Sequence, residues 1–404
     1  MCSASPKAPT DGSLLTNCIR CNSAITDNEA KQAPITKGAA TGMSRPWPVA
    51  YRDAGVREGA TLAGVEASRG VVDRLARSLQ DLRISVTDRC NFRCRYCMPR
   101  EVFGAGYRFM DRTELLSFEE ITRLARVFAR LGTTKIRLTG GEPLLRRQLE
   151  RLVAMLAGVP GIEDVAMTTN GSLLAAKAHA LRTAGLARVT VSLDSLDEAR
   201  FRLISDTRVP LAQVLDGLAA ARDAGLEPIK INTVVKRGAN DRDDITALAA
   251  FGRKHGHTVR FIEYMDVGGT NGWRMDDVVP AAEILELLNA TWPIEPIDNT
   301  RPGDVARRYR YRDGAGEVGV IASVTQPFCR ACTRARLSAR GELFTCLFAH
   351  SGLDLRTLIR SHGDDRYLEQ VVRRRWQERT DQYSQLRTAT TDRPRKIEMS
   401  YIGG

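Results

Sequence analysis

Three cysteines within the stretch Cys90-Asn-Phe-Arg-Cys94-Arg-Tyr-Cys97 constrain this chain more than any other feature. The spacing is Cys-x3-Cys-x2-Cys, and an aromatic residue, Tyr96, stands just before the last cysteine. Cysteine thiolates are the usual ligands of a cubane iron–sulfur cluster, which contains four irons. Three thiolates from one loop hold three of those irons and leave the fourth with an open coordination position. Open positions on a metal are where chemistry happens, whereas closed sites are structural. A zinc knuckle is the competing reading. It would want a fourth ligand nearby, and no histidine or further cysteine lies between Cys97 and Leu145.

The rest of the composition narrows the class. A chain of 404 residues with 43% hydrophobic and 27% charged residues is globular and long enough to bury a large core. No run of eighteen apolar residues occurs, which predicts no membrane-spanning helix. The start, Met1-Cys-Ser-Ala-Ser-Pro-Lys7, has no apolar core segment and does not read as a secretory signal. Nine cysteines, six of them in two tight groups, fit thiols committed to metal in a reducing compartment, which points to the cytoplasm. The net charge of +12 is compatible with nucleic-acid binding or with a polyanionic small substrate such as a nucleoside triphosphate. Aromatics make up only 6%, so no stacking platform for bases is visible.

Residues 1–70 are rich in Ala, Gly, Ser, Thr and Pro and read as a disordered or weakly ordered extension. It carries a lone Cys18-Ile-Arg-Cys21 pair, and Met43 is an alternative start. From Leu82 onward short apolar strands alternate with amphipathic helices, the pattern of a parallel α/β architecture. Strands are expected at Arg83–Thr87, Lys135–Thr139, Asp164–Thr169, Arg188–Asp194, Ile229–Val235 and Thr258–Tyr264. Helices are expected at Arg147–Leu156, Leu174–Ala184, Val214–Ala224 and Asp243–Lys254. Ser117-Phe-Glu-Glu120 reads as a capping box opening a further helix with Leu124, Val127, Phe128 and Leu131 on one face. Six βα units over residues 71–295 are too few for a closed eight-stranded barrel, so an incomplete (βα)6 TIM-type barrel is expected. In such folds the site gathers at the C-terminal ends of the strands. A mixed region, residues 296–404, follows and ends in Gly403-Gly404. The arginine-rich tract 361–396 within it shows only weak patterning.

After the second strand comes Thr139-Gly140-Gly141-Glu142-Pro143, where paired glycines let backbone NH and CO groups approach a ligand. A second group, Cys329-Arg-Ala-Cys332 followed by Cys346, again offers three thiolates. Closure by His350 would make it a zinc site; without closure it suits a second cluster with an open iron. Arg334 and Arg336, two residues apart on an extended segment, project to one side and suit phosphate oxygens.

The first cysteine loop with its aromatic resembles the signature of radical S-adenosylmethionine enzymes, as does the Gly-Gly-Glu-Pro loop. Residues 75–404 more narrowly resemble the GTP 3′,8-cyclases of molybdenum cofactor biosynthesis, radical enzymes with two 4Fe–4S clusters. The resemblance rests on Asp88–Pro99, Ile136–Pro143, Thr168-Thr-Asn-Gly171 and Val191-Ser-Leu-Asp194, in that order. It continues through Lys230–Val235, Phe261-Ile-Glu-Tyr-Met265, the second cysteine group and the Gly-Gly end. It implies that Cys90, Cys94 and Cys97 hold one cluster and that Cys329, Cys332 and Cys346 hold the other. It further implies that Tyr96, Gly141, Ser192 and Met265 contact S-adenosylmethionine. GTP would be bound by Arg83, Arg137, Thr168, Lys230, Arg334, Arg336 and the Ala335 backbone. No conventional catalytic side chain is implied. The resemblance also implies a downstream cyclic pyranopterin monophosphate synthase, a flavodoxin- or ferredoxin-type reductant and a homodimer, with no nucleic acid and no membrane. Two alternatives compete: a two-cluster radical enzyme acting on a peptide, and a non-catalytic metal protein that binds RNA.

Overall fold

The computed structural model of the chain describes residues 70–299, 303–361, 363–387 and 396–404. Cys18, Cys21, Met43 and nearly all of the N-terminal extension lie outside them. Six strands form where alternation puts an apolar residue outward and a polar one inward: β1 (Asp81–Ser85), β2 (Lys135–Thr139), β3 (Asp164–Thr169), β4 (Arg188–Ser192), β5 (Lys230–Val235) and β6 (Thr258–Glu263). In β5, for example, Ile231, Thr233 and Val235 are buried, while Lys230, Asn232 and Val234 are half-buried on the other face.

Helices cover the outward face: α1 (Phe118–Arg130), α2 (Leu149–Ala157), α3 (Ala178–Thr183), α4 (Glu198–Ser205), α5 (Leu211–Asp223) and α6 (Asp243–His255). The capping box at α1 is formed, with Ser117 Oγ accepting from the Glu120 amide at 3.1 Å and Glu120 accepting from the Ser117 amide at 2.7 Å. Leu124, Val127, Phe128 and Leu131 are all buried on its inner face, in the same apolar core as Ile136 and Leu138 of β2. Truncating Phe128, which has no exposed surface, removes a full aromatic side chain from this core. Phe128→Ala is expected to cost about 3–5 kcal/mol, read as a large fall in thermal midpoint.

The chain then continues through α7 (Ala281–Thr291), an antiparallel meander of β7 (Ile294–Ile297), β8 (Arg307–Tyr311) and β9 (Glu317–Ile321), and the strands β10 (Arg334–Leu337), β11 (Glu342–Phe344) and β12 (Leu353–Asp354). It ends in α8 (Leu355–Ser361), α9 (Asp365–Gln377), α10 (Tyr383–Leu386) and α11 (Met399–Ile402). All strands join one sheet in the order β12-β11-β10-β1-β2-β3-β4-β5-β6-β9-β8-β7. This is the incomplete barrel expected from the sequence, with one addition. β10 pairs parallel with β1 and β9 pairs parallel with β6, so the C-terminal segment extends the parallel run at both edges.

The additions explain the local differences from the sequence expectation. β1 begins two residues earlier than Arg83, because Asp81 and Leu82 are held in register with Arg334 and Ala335 of β10. α3 is shorter than expected, since the turn from Gly171, with φ of +79°, delays its start. The arginine-rich tract contains α9, whose Leu368, Val372 and Trp376 are buried at four-residue intervals. Its arginines include Arg373 and Arg374, which pair with Glu369 and Glu378 on the surface. No helix among the described residues is long and apolar enough to cross a membrane.

Candidate active site

Inward-facing residues at the C-terminal ends of the strands, with the loops that follow them, line a cavity of about 280 Å³. All six cysteines of the two groups face it, as do Tyr96, Gly141, Ser192, Met265, Arg83, Thr168, Arg334 and Arg336. A second lobe of about 440 Å³ shares Arg83, Thr168, Arg334 and Gly404 with it and adds Arg137 and Lys230. Every side chain expected at the site therefore lines one lobe or both, except Ala335. That residue is fully buried and stands in register with Leu82 on the opposite parity to Arg334 and Arg336.

The loop after β2 is fitted tightly against the first cysteine loop. Gly141 donates its amide to the Thr87 carbonyl and Glu142 donates to the Arg89 carbonyl, both at 2.8 Å. A Cβ on Gly141 would run into that Arg89 carbonyl, and Gly140 holds a φ of +151°, so glycine is required at both. Glu142 is fully buried and accepts from Leu144 N, Thr169 Oγ1 and Asn170 N at 2.7–2.9 Å. Burial nevertheless pushes its carboxyl up to about 7. Asn170 in turn bonds Asn91 at 2.9 Å and approaches the Cys90 sulfur at 3.9 Å. Tyr96 donates its hydroxyl to Asp194 at 2.7 Å, which ties the cysteine loop to the end of β4.

The thiols test what the cysteine groups suit. Burial pushes Cys90 up to about 12, with Glu142 adding to the shift, and drives Cys94 and Cys97 up as well. Such thiols ionise when a metal supplies positive charge. Among the described residues no three His, Cys, Asp or Glu side chains lie close enough to share one metal ion. His350, the residue that would close a zinc site, is exposed and does not line the cavity. At Cys332 burial also raises the thiol, but Arg334 and Arg379 outweigh it and bring it down to about 6. Both guanidiniums reach its sulfur, at 3.3 and 3.2 Å. Both trios fit clusters.

The second lobe is cationic. Register places Arg336, Arg83 and Arg137 side by side across β10, β1 and β2. Arg137 donates to Thr168 and Thr190, each at 3.2 Å, and Arg260 donates to Asn232 at 2.9 Å. Lys135 pairs with Asp81 at 3.3 Å, while among the described residues Arg83, Arg137, Lys230 and Arg260 form no ion pair. Burial, then mutual repulsion, lowers Lys230 to about 8, Arg260 to about 9 and Arg336 to about 10. The sequence reading missed Lys135 and Arg260, since a lone cation on a strand carries no motif. Their parity with Arg137 and Asn232 on the inward face was the available signal. The C-terminus closes the site: Gly404 lines both lobes, and Arg336 donates to the Gly403 carbonyl.

Comparison with known proteins fits this geometry. The profile of the Radical SAM superfamily matches residues 84–250, and that of Molybdenum Cofactor Synthesis C matches residues 257–385. The GTP 3′,8-cyclase of Acidothermus cellulolyticus is 58% identical over 357 residues, covering 82% of this chain and 98% of that protein. The GTP 3′,8-cyclases of Xanthomonas axonopodis pv. citri (50% identity; 82% of this chain, 98% of that one) and Staphylococcus epidermidis (46%; 83% and 99%) match at similar length. The chain belongs to the GTP 3′,8-cyclase family. Among solved structures, Streptococcus suis SuiB bound to S-adenosylmethionine aligns with a TM-score of 0.50 at 15% identity. That alignment covers 69% of this chain and 63% of SuiB, and at this identity the likeness is one of fold alone.

Proposed function

We propose that the chain cyclises GTP to (8S)-3′,8-cyclo-7,8-dihydroguanosine 5′-triphosphate, the first step of molybdenum cofactor biosynthesis. It is a radical S-adenosylmethionine lyase with two 4Fe–4S clusters. The observation that carries this reading is that two three-cysteine groups face one cavity whose adjoining lobe gathers Arg83, Arg137, Lys230 and Arg260, half-buried cations that form no ion pair among the described residues. When bound, the first cluster and S-adenosylmethionine supply a carbon radical, which no side chain provides.

The residues divide the remaining work. Cys90, Cys94 and Cys97 hold the first cluster, and Tyr96, Gly141, Ser192 and Met265 seat S-adenosylmethionine beside it. Cys329, Cys332 and Cys346 would hold the second cluster, which would supply a binding point for the guanine. Arg83, Arg137, Lys230, Arg334 and Arg336 neutralise the triphosphate, while Thr168 and the Ala335 backbone fix its orientation. Such a polyanion leaves water only for several positive partners. The tail at Gly403-Gly404 shields the reacting groups from solvent. A flavodoxin- or ferredoxin-type protein delivers electrons, and cyclic pyranopterin monophosphate synthase consumes the product. The chain works in the cytoplasm as a homodimer, where six reduced thiols are kept available for iron. A peptide substrate would leave the cationic lobe without a role.

GTP binding carries a proton signature. In the free site Lys230 titrates near 8 because burial and then Arg260 disfavour its charge. A bound triphosphate raises that value, so the attraction is fully present below about pH 8 and is lost as pH rises beyond it. GTP affinity is expected to fall above pH 8 with proton uptake, seen by calorimetry in buffers of differing ionisation enthalpy. Lys230→Arg should flatten the profile.

The direct test of function is an anaerobic assay of the reconstituted protein with dithionite, S-adenosylmethionine and GTP. Equal amounts of 5′-deoxyadenosine and a GTP isomer are expected. 5′-Deoxyadenosine with GTP untouched would keep the radical chemistry and overturn the substrate.

A further inference from the structure

We infer that Arg379 is a positioning residue of the second three-cysteine site: its guanidinium fixes the Cys332 sulfur and raises the reduction potential of the cluster held there. The inference rests on the reading of Cys329, Cys332 and Cys346 as cluster ligands. Arg379 donates through Nη2 to the Cys332 sulfur at 3.2 Å and through Nη1 to the Cys332 carbonyl at 2.8 Å. A planar fork spans two atoms of one residue in this way, and an ammonium does not.

The side chain is held for that task. It is 1% exposed, stacks on Trp376 with its guanidinium carbon 4.5 Å from the ring centre, and lies 3.3 Å from the Asp73 carboxylate. Asp73, fully buried, also binds Arg77 at 2.6 Å. Arg77 donates to the carbonyls of Cys329 and Asp381, each at 2.8 Å. One carboxylate thus locks two guanidiniums onto the two cysteines of the 329–332 turn.

The charge balance sets the direction. Around Cys332 stand Arg334, Arg379 and Arg77 with Asp73 and Asp381, a net excess of one positive charge. Arg334 also reaches the sulfur, but it lines both lobes, as a substrate ligand should, whereas Arg379 lines only the lobe of the cysteines. At the first trio, the donors that Cys90 receives among the described residues are uncharged, Phe92 N at 3.4 Å and Asn170 at 3.9 Å. Hydrogen bonds and positive charge at a ligand sulfur stabilise the reduced, more negative cluster.

The test uses the full chain with Cys90, Cys94 and Cys97 changed to Ser, so that only the second cluster loads. Iron and sulfide are counted, and the cluster is poised at a series of potentials and read by electron paramagnetic resonance. A charge-assisted hydrogen bond to a ligand sulfur favours the reduced, more negative cluster. Arg379→Gln is therefore expected to load four irons but to lower the ratio of reduced to oxidised cluster about tenfold, or about 59 mV for one electron. Arg379→Lys should recover part of that loss. A fully loaded Arg379→Gln with an unchanged ratio overturns the inference and leaves the ligand assignment standing. If Arg379→Gln does not load, ¹⁵N-arginine protein carrying Arg334→Lys decides. A nitrogen coupled to the reduced cluster supports the inference, and its absence overturns it. If the chain with Arg379 intact holds no cluster, the ligand assignment falls and takes the inference with it.

Discussion

Cys94→Ala is expected to abolish formation of both 5′-deoxyadenosine and the GTP isomer, with iron content falling from about eight to about four per chain. Cys94 sits in the middle of its trio, and the amides of Cys97 and Met98 both donate to its carbonyl, so the loop is wound round it. Its thiol is pushed well up by burial, which marks it as a group that ionises only with metal present. Two remaining thiolates cannot keep a cubane, and the other three described cysteines belong to the second trio. The contrasting variant is Cys346→Ala. It should also lose about four irons yet still release 5′-deoxyadenosine slowly, because the first trio is intact. Retention of the full iron complement in either variant would contradict the assignment of ligands.

Arg336→Ala should weaken GTP binding by about 10–100-fold, the worth of one buried charge-assisted contact. Arg336 is 4% exposed, stands in register between Arg83 and Phe344, and is held below its ordinary value by burial and then by Arg334. A cation kept there against its own repulsion suits an arriving polyanion. Its guanidinium also donates to the Gly403 carbonyl, so the substitution could act through the tail. A chain ending at Ile402 separates the two causes. Calorimetry should show near-native GTP affinity for the shortened chain and weak affinity for Arg336→Ala. Equal losses in both would place the effect in the tail.

The site was more legible in the sequence than the sheet that carries it. The six cysteines, the Gly-Gly-Glu-Pro loop and the two arginines beside Cys332 announce themselves by spacing, because metal and phosphate chemistry fix spacing. The strands β2 and β3 were legible to the residue, since their apolar side is buried by helices adjacent in sequence. β9 and β10 were not, because their partners β6 and β1 lie far away along the chain and β10 reads Arg-Ala-Arg-Leu. Asp73, Arg77 and Arg379 were equally hidden. None of them belongs to a motif in sequence, and only the fold brings residues 304 positions apart into contact at Asp381.

The central claim is that the two cysteine trios and the cationic lobe bring S-adenosylmethionine and GTP together in one cavity. Turnover of GTP carrying deuterium at the ribose 3′ carbon tests it most directly, with 5′-deoxyadenosine analysed by mass. The account predicts one deuterium in each 5′-deoxyadenosine formed alongside the GTP isomer. Unlabelled 5′-deoxyadenosine, with deuterium retained in the nucleotide, would contradict it.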